Sequence, residues 1–355
     1  MSRAGAALAG VGRRVAPVLL AFLIAFVFFG ATGYDVGEVA RGLYDGSIGS
    51  TSSLQATFRW SVPLMLIGFG VVVSFRAGEF NIGGQGQFIV GGIAAVWVAL
   101  EWSLPPVVGI VVGTLAAVIA GSAWSLIAGL LKVYFSADEV ITTLMLNLIA
   151  VQLAIWVATG PLADPTTSGD AASTPRISDE LRISDGTGTS IELFVVLALA
   201  ALAMWLFLER TPTGMRIGYV GANRTASRWQ GISVHRISLL SYALAGALAG
   251  LAGAIEVFGP AGRVATGSSP TVGFTAVVVA TVGALRIGGT IVAGILFGGL
   301  QAAVLFLPIV SDVPISGVAI IEGLVALLIT ARLFTHFKRR SRRRDRQRAT
   351  EEAAV

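Results

Sequence analysis

Polar side chains are scarce in this sequence, and the densest group of them occupies one short stretch. Residues 76–87 read Arg76-Ala-Gly-Glu-Phe-Asn-Ile-Gly-Gly-Gln-Gly-Gln, so Arg76, Glu79, Asn81, Gln85 and Gln87 stand beside Gly78, Gly83, Gly84 and Gly86. Apolar runs flank the stretch on both sides. A charge inside a bilayer is costly and as a rule functional, and Glu79 is the clearest instance. Non-helical backbone at membrane depth survives only inside protein or along a wet cavity. Interrupted helices of this kind mark substrate paths in transporters; the plain alternative is a hairpin between two spans. A second polar site is Asn147 in EVITTLMLN, where Thr142, Thr143 and Asn147 share or neighbour one helical face. Gln152, Glu256, Gln301 and Glu322 complete the membrane set, with Glu256 and Glu322 read as helix-end residues solvated at the interface.

Covalent chemistry is poorly provided for. The chain has no cysteine, hence no disulfide, iron–sulfur cluster or thiol nucleophile. Its two histidines, His235 and His336, fall beside arginines at membrane edges, so no histidine metal site is expected. Neither lysine, Lys132 or Lys338, sits in a G-x-x-x-x-G-K-[ST] loop. Any driven work must take its energy from another protein or from an ion gradient.

The elements that position these residues follow from composition. Of 355 residues, 55% are hydrophobic and 13% charged, against about 25% charged in an ordinary soluble domain. Mean hydropathy is +0.81, and the 44 glycines are not periodic. A soluble enzyme, a disordered tail and a collagen-like rod are excluded. What remains is an all-α polytopic membrane protein. Ten segments read as spans: 15–32, 56–75, 82–100, 105–131, 138–159, 191–209, 237–257, 272–285, 288–307 and 313–334. The eighth is short enough for a half-helix, and the third follows the glycine-rich break.

Positive charge sets the expected orientation. With the N-terminus inside, Arg3, Arg13, Arg14, Arg76, Lys132, Arg210, Arg216, Arg224, Arg228, Arg236, Arg286 and the tail from Arg332 fall inside, and Arg41, Arg59, Arg176, Arg182 and Arg263 outside. Both termini are then cytoplasmic. Residues 1–355 read as one membrane domain: an N-terminal anchor helix and outside loop (1–54), a core (55–335), an external loop (160–190), a basic cytoplasmic loop (210–236) and a basic tail (336–355) that anchors topology, with binding of anionic lipid headgroups as the secondary reading. The external loop holds Asp164, Asp170, Asp179, Glu180 and Asp185 and is a place for a short helix near SDELRIS. The 210–236 loop is longer than a bare connection needs and suits one or two short helices that dock a soluble partner. Gly246, Gly250 and Ala254 share a helical face, as do Gly109 and Gly113, and predict close helix packing. Phe80-Asn-Ile-Gly-Gly is echoed by Leu285-Arg-Ile-Gly-Gly, which hints at two structural repeats.

In order along the chain, FRAGEFNIGGQGQF (75–88), SADEVITTLMLNLIA (136–150), TPTGMRIGYVGANRTASRWQGISVHR (211–236), LAGALAGLAGA (244–254) and GFTAVVVATVGAL (273–285) resemble a permease subunit of a bacterial ATP-binding-cassette importer. The branch is that of branched-chain amino acid, ribose and nucleoside permeases. The GEFNIGGQGQ and EVITTLMLN forms are most similar to nucleoside and simple-sugar members; ribose-type members typically carry Gly-Gly-Ile-Asp-Leu-Ser instead. The resemblance implies a multi-pass protein of the bacterial inner (plasma) membrane. It implies a second permease subunit, usually a different but related chain, an ATPase that holds ATP and Mg, and an extracytoplasmic substrate-binding lipoprotein that meets the 160–190 loop. No cofactor, metal or nucleic acid is implied for this chain. It also places the ATPase-coupling role on Thr211, Pro212, Gly214, Arg216, Gly221, Asn223, Ala226, Gly231 and Ile232, where a turn glycine such as Gly221 is expected to need φ > 0. The family commonly shows Asn-Pro-Glu-Ala-Ala here; this chain has Asn223-Arg224-Thr225-Ala226-Ser227, so an acidic residue is missing.

The expected activity is alternating access for a nucleoside-type substrate. An uncharged solute with a polar ribose and a stackable base calls for amides and an aromatic ring, and Glu79, Phe80, Asn81, Gln85 and Asn147 fit that description. Glu79 accepts ribose hydroxyls or pairs with Arg76. The alternatives are a permease for a simple sugar or branched-chain amino acid and, in a different class, an ion-coupled secondary transporter. A membrane enzyme lacks its paired acids here.

Overall fold

The computed structural model describes residues 19–167, 172–183, 191–265, 271–304 and parts of 306–328. Arg3, Arg13, Arg14, Asp170, Asp185, Glu322, His336 and the basic tail lie outside the described residues, as does much of the 313–334 segment. Two compact units are present, residues 50–299 and residues 1–49 with 300–355.

In the second of these, the apolar helix α1 (Leu19–Ala31) buries Phe29 edge-on against Tyr34. The expected outside loop contains a further helix, α2 (Val36–Ser47). Asp35 caps it by accepting from the Gly37 and Glu38 amides at 2.7 and 3.0 Å. Val39, Leu43 and Gly46 are buried, and Gly46 sits where a Cβ would come within 3.0 Å of Phe306. The short α13 (Leu307–Ser311) packs on α2.

The larger unit holds α3 (Thr51–Arg76), α4 (Gly84–Glu101), α5 (Pro106–Phe135), α6 (Glu139–Thr159), α7 (Ile191–Arg210), α8 (Pro212–Ala222), α9 (Arg224–Trp229), α10 (Val234–Glu256) and α11 (Val272–Val282), and most of α12 (Ile287–Ala303). Among the described residues, α3, α5, α6, α7 and α10 are long and apolar enough to cross a membrane; α1, α11 and α12 are apolar but shorter. The 210–236 loop forms two helices, as its length suggests. Among the described residues of the acidic loop, the one helical element is a 3-10 turn at Asp179–Leu181.

Helix starts follow local chemistry. Pro106 at the first position of α5 needs no donor there. Asp138 caps α6 by accepting from the Val140 and Ile141 amides at 2.9 and 3.0 Å. Packing then depends on small residues. On α5 the buried positions recur every fourth residue: Gly109, Gly113, Ala117, Gly121 and Ser125. From Ala117 to Ser125 that stripe meets α10, where a Cβ on Gly121 would lie 2.9 Å from the Gly250 Cα, while Gly113 faces the Phe258 ring and Gly109 faces Leu181. Gly246 and Gly250 are therefore packing glycines, as their spacing predicts, and their partners on α5 are Ala117, Gly121 and Ser125. Without side chains between them the backbones approach closely, and dispersion holds them in lipid.

At the far end of α10, residues 172–183 fold back onto the bundle. The Ile177 amide donates to the Gly262 carbonyl (2.9 Å), Ile183 to Phe258 (2.7 Å) and Thr174 to Val264 (2.9 Å). Ile177, Leu181, Val257 and Phe258 join one apolar cluster with Ala95 and Ala117. In the same loop the Thr166 hydroxyl and amide donate to Asp164 at 2.7 and 2.9 Å and hold its carboxyl below the usual range. Glu256 is a helix end, as read from the sequence, closing α10, but it is mostly buried and faces Arg59 of α3 at 3.6 Å rather than open solvent.

Candidate functional site

The glycine-rich break begins as a helix end. The Gly78 amide donates to the Phe75 carbonyl (3.1 Å) and the Glu79 amide to Ser74 (2.9 Å), with Gly78 at φ +77°. These are the paired bonds of a Schellman cap, whose left-handed residue glycine adopts without penalty. The chain reverses there and runs back into the bundle. Gly84, the first residue of α4, meets Ile67, nine residues before the end of α3. At ~1.5 Å per residue that is roughly 13 Å inward. The same pair of bonds closes α11: Ala284 donates to Thr281 (2.9 Å) and Leu285 to Ala280 (3.0 Å), with Ala284 at φ +54°. A helix end of the same kind thus leads into each of the two echoing sequences, one residue out of register with the echo, and the two ends meet at Arg76, whose Nε donates to the Leu285 carbonyl at 3.0 Å.

Irregular backbone inside a bundle needs partners for its amides and carbonyls, and the amide side chains supply them. Asn147 Oδ1 accepts from the Gly86 amide (2.8 Å) while its Nδ2 donates to the Ile82 carbonyl (3.0 Å), so one side chain clamps both sides of the break. Asn81 Oδ1 accepts from the Gly83 amide (2.9 Å) and from Gln87 Nε2 (3.1 Å), and Asn81 Nδ2 donates to Ser125 Oγ (3.3 Å). Gln85 Oε1 accepts from the Gly273 amide of α11 at 2.7 Å. The structure brings Glu79, Asn81, Gln85 and Asn147 together, and all four are buried. Phe80 differs: it is 53% exposed, with its ring centroid 5.2 Å from that of Phe75.

Glu79 does not pair with Arg76. Arg76 Nη1 donates to Glu209 Oε1 at 2.8 Å, and the reversal at Gly78 turns Glu79 toward three other elements. Its Oε1 accepts from Arg224 Nη2 of α9 and from Ser238 Oγ of α10, each at 2.5 Å; its Oε2 faces Lys132 Nζ of α5, also at 2.5 Å. Lys132 reaches in turn to Glu139 Oε1 of α6 at 2.6 Å. Two carboxylates and two cations balance in charge. Lys132 in the last turn of α5 and Glu139 in the first turn of α6 also suit the helix dipoles. Sequence reasoning missed Lys132, Glu139, Arg224 and Ser238. A signal was present: one of only two lysines ends a long apolar helix, seven residues before a glutamate.

The helical loop that supplies Arg224 is built from its own caps. Thr211 Oγ1 accepts from the Gly214 amide (3.0 Å) with Pro212 at the first turn of α8. Asn223 ends α8 and caps α9, its Oδ1 accepting from the Ala226 amide at 3.0 Å. Gly231, at φ +76°, turns the chain out of α9. Gly214 touches the α7 backbone, where a Cβ would lie 2.6 Å from the Leu208 Cα. Gly221 has no positive φ; it lies within α8. It is needed for another reason: a Cβ there would run into the Arg76 carbonyl, with the Arg76 carbonyl carbon at 2.9 Å and the Ala77 carbonyl carbon at 3.1 Å. On its outer side the loop opens a groove of about 480 Å³ lined by Met215, Arg216, Tyr219, Ile232 and Arg236 among others. Trp229 beside it is 88% exposed.

Among the described residues, no cluster of three or more His, Asp or Glu has the arrangement of a metal site. The family model described as branched-chain amino acid transport system / permease component matches residues 53–330. The guanosine ABC transporter permease protein NupP of Bacillus subtilis (strain 168) is 33% identical over 84% of this chain and 87% of its own length. The glucose ABC transporter permease protein TsgB13 of Haloferax volcanii is 31% identical over 92% and 89%. The nucleoside ABC transporter permease protein NupB of Lactococcus lactis subsp. cremoris is 30% identical over 80% and 81%. No solved structure matches with significance.

Proposed function

This chain belongs to the branched-chain amino acid transport system permease family, as a multi-pass permease subunit of an ABC importer, and from that premise we propose its substrate and the part each element plays. The substrate is a nucleoside. The observation that carries this is the likeness, over four fifths of the chain or more, to relatives named for guanosine and for nucleosides. The site agrees with it: amides and an aromatic ring surround the break, and Glu79 is neutralised by Lys132 and Arg224 rather than left as a free charge.

The break at 79–87 forms a wall of the path. Phe80 is its member open to the path and stacks on the base, while Glu79, Asn81, Gln85 and Asn147 fix the wall behind it. The chain sits in the bacterial inner membrane with both termini inside and pairs with a second, related permease. Thr211, Pro212, Gly214, Gly221, Asn223, Ala226 and Gly231 shape the coupling helices. Arg216 and Ile232, with Met215, Tyr219 and Trp229, present the face that docks the ATPase, on which ATP and Mg are bound. The 160–190 loop receives a substrate-binding lipoprotein. A glucose permease among the relatives favours one second reading, a simple sugar.

Uptake by the importer reconstituted with its binding protein, run against a panel of nucleosides and monosaccharides, tests the substrate. Competition by nucleosides alone supports this reading; competition by monosaccharides alone overturns it. A reporter fused after Arg340 is expected inside and one inserted near Ser168 outside; the reverse pattern overturns the docking assignment.

A further inference from the structure

We infer that Arg224 is a positioning residue for transport: with Glu79 it forms a strut that carries displacement of the coupling helices into the 79–87 wall. This rests on the docking reading of the 210–236 loop. Three observations lead to it. Arg224 is the first residue of α9, directly beyond the cap Asn223, so its backbone moves with the helix that faces the partner. Its guanidinium holds two successive residues of the break, the Gly78 carbonyl at 3.2 Å and the Glu79 carboxylate at 2.5 Å. Gly221, three residues earlier, lets α8 lie directly on the Arg76–Ala77 backbone, so the loop touches the break through backbone and charge together.

The physical form of the contact suits a strut. The buried Glu79 carboxylate takes charge-assisted hydrogen bonds from Arg224 and Ser238 on Oε1, which are short and directional, and has Lys132 as an ion-pair partner at Oε2. The Glu79 side chain is wholly buried, whereas that of Arg224 is 39% exposed. The inner end is thus fixed against α5 and α10 while the outer end belongs to a surface helix. Lys132 pairs with Glu139 through a contact that does not involve Arg224, so the inner cluster is expected to survive loss of Arg224.

The test uses the full importer in liposomes, with uptake and ATP hydrolysis measured on the same vesicles. Arg224→Gln is expected to lower substrate moved per ATP by about tenfold, within the range that coupling-network substitutions give, with the ATPase subunit still co-purifying. Arg224→Lys, which keeps the charge, is expected to recover much of the ratio. Glu79→Gln is expected to lower the ratio similarly, and the double variant to be no worse than the poorer single one, because the two groups act as a pair. Arg224 is partly exposed, so its replacement can turn to water; size-exclusion chromatography of the subunit confirms folding, and the Arg224 pair of variants decides the matter if Glu79→Gln does not fold. An unchanged ratio in Arg224→Gln, or losses that simply multiply in the double variant, overturns the strut. Trp229→Ala separates the two readings. If it releases the ATPase while Arg224→Gln transports normally, docking stands and the strut falls; if it leaves the ATPase bound and Arg224→Gln also transports normally, both fall.

Discussion

Gly218 and Gly221 lie three residues apart on α8 and make a matched pair for substitution by alanine. Removing a glycine from a helix interior stabilises by about 0.5–1 kcal/mol, because the unfolded chain loses freedom. At Gly218 nothing lies within 4 Å of the added Cβ, so only that gain operates. At Gly221 the Cβ meets the Arg76 carbonyl, and α8 must withdraw by at least about 1 Å to restore ordinary separation. Overpacking of this kind costs about 1–3 kcal/mol, which exceeds the gain. The two variants should therefore move in opposite directions. Thermal unfolding of the solubilised subunit is expected to show Gly218→Ala at or above the unsubstituted midpoint and Gly221→Ala below it. Uptake should survive in Gly218→Ala and fall several-fold in Gly221→Ala, because withdrawal of α8 also lengthens the Arg224–Glu79 contact. Gly221→Val should be worse on both measures. Equal midpoints and equal uptake for the two alanine variants would refute the close-approach account.

Two further outcomes follow from the break. Asn147→Leu strips partners from the buried Gly86 amide, worth about 1–3 kcal/mol when left unpaired, and from the part-buried Ile82 carbonyl; the yield of folded subunit should drop, and wild-type yield would show that the clamp is dispensable. The absence of native cysteine allows single-cysteine labelling with a membrane-impermeant thiol reagent. Phe80→Cys is expected to label, while Asn81→Cys and Gln85→Cys, both buried, and Val111→Cys, on an apolar outer face, are not; labelling at Asn81 and Gln85 equal to that at Phe80 would contradict the packing.

Much of the architecture is set by properties that need no partner in space. A chain this apolar must satisfy its backbone within each segment, so helices follow from composition alone. The four-residue spacing of Gly246 and Gly250 places them on one face whatever they touch, and the Thr211-Pro212 start of α8 is local chemistry. The density of amides around 79–87 and the isolated Asn147 likewise mark a place where polar groups have work to do, and the order of motifs from 75 to 285 identifies the family. The work itself depends on contacts between residues far apart in the chain. Asn147 clamps Ile82 and Gly86 across more than sixty positions, and Glu79 is joined by residues from α5, α9 and α10. Spacing along the chain gave no means of choosing Lys132 and Arg224 over Arg76, which is nearer in sequence; the left-handed turn at Gly78 made that choice by pointing Glu79 away from it. Gly221 shows the same division. Its residue type signalled a constraint, but whether that constraint was a backbone angle or a neighbouring carbonyl was decided only when α8 came to rest on the end of α3.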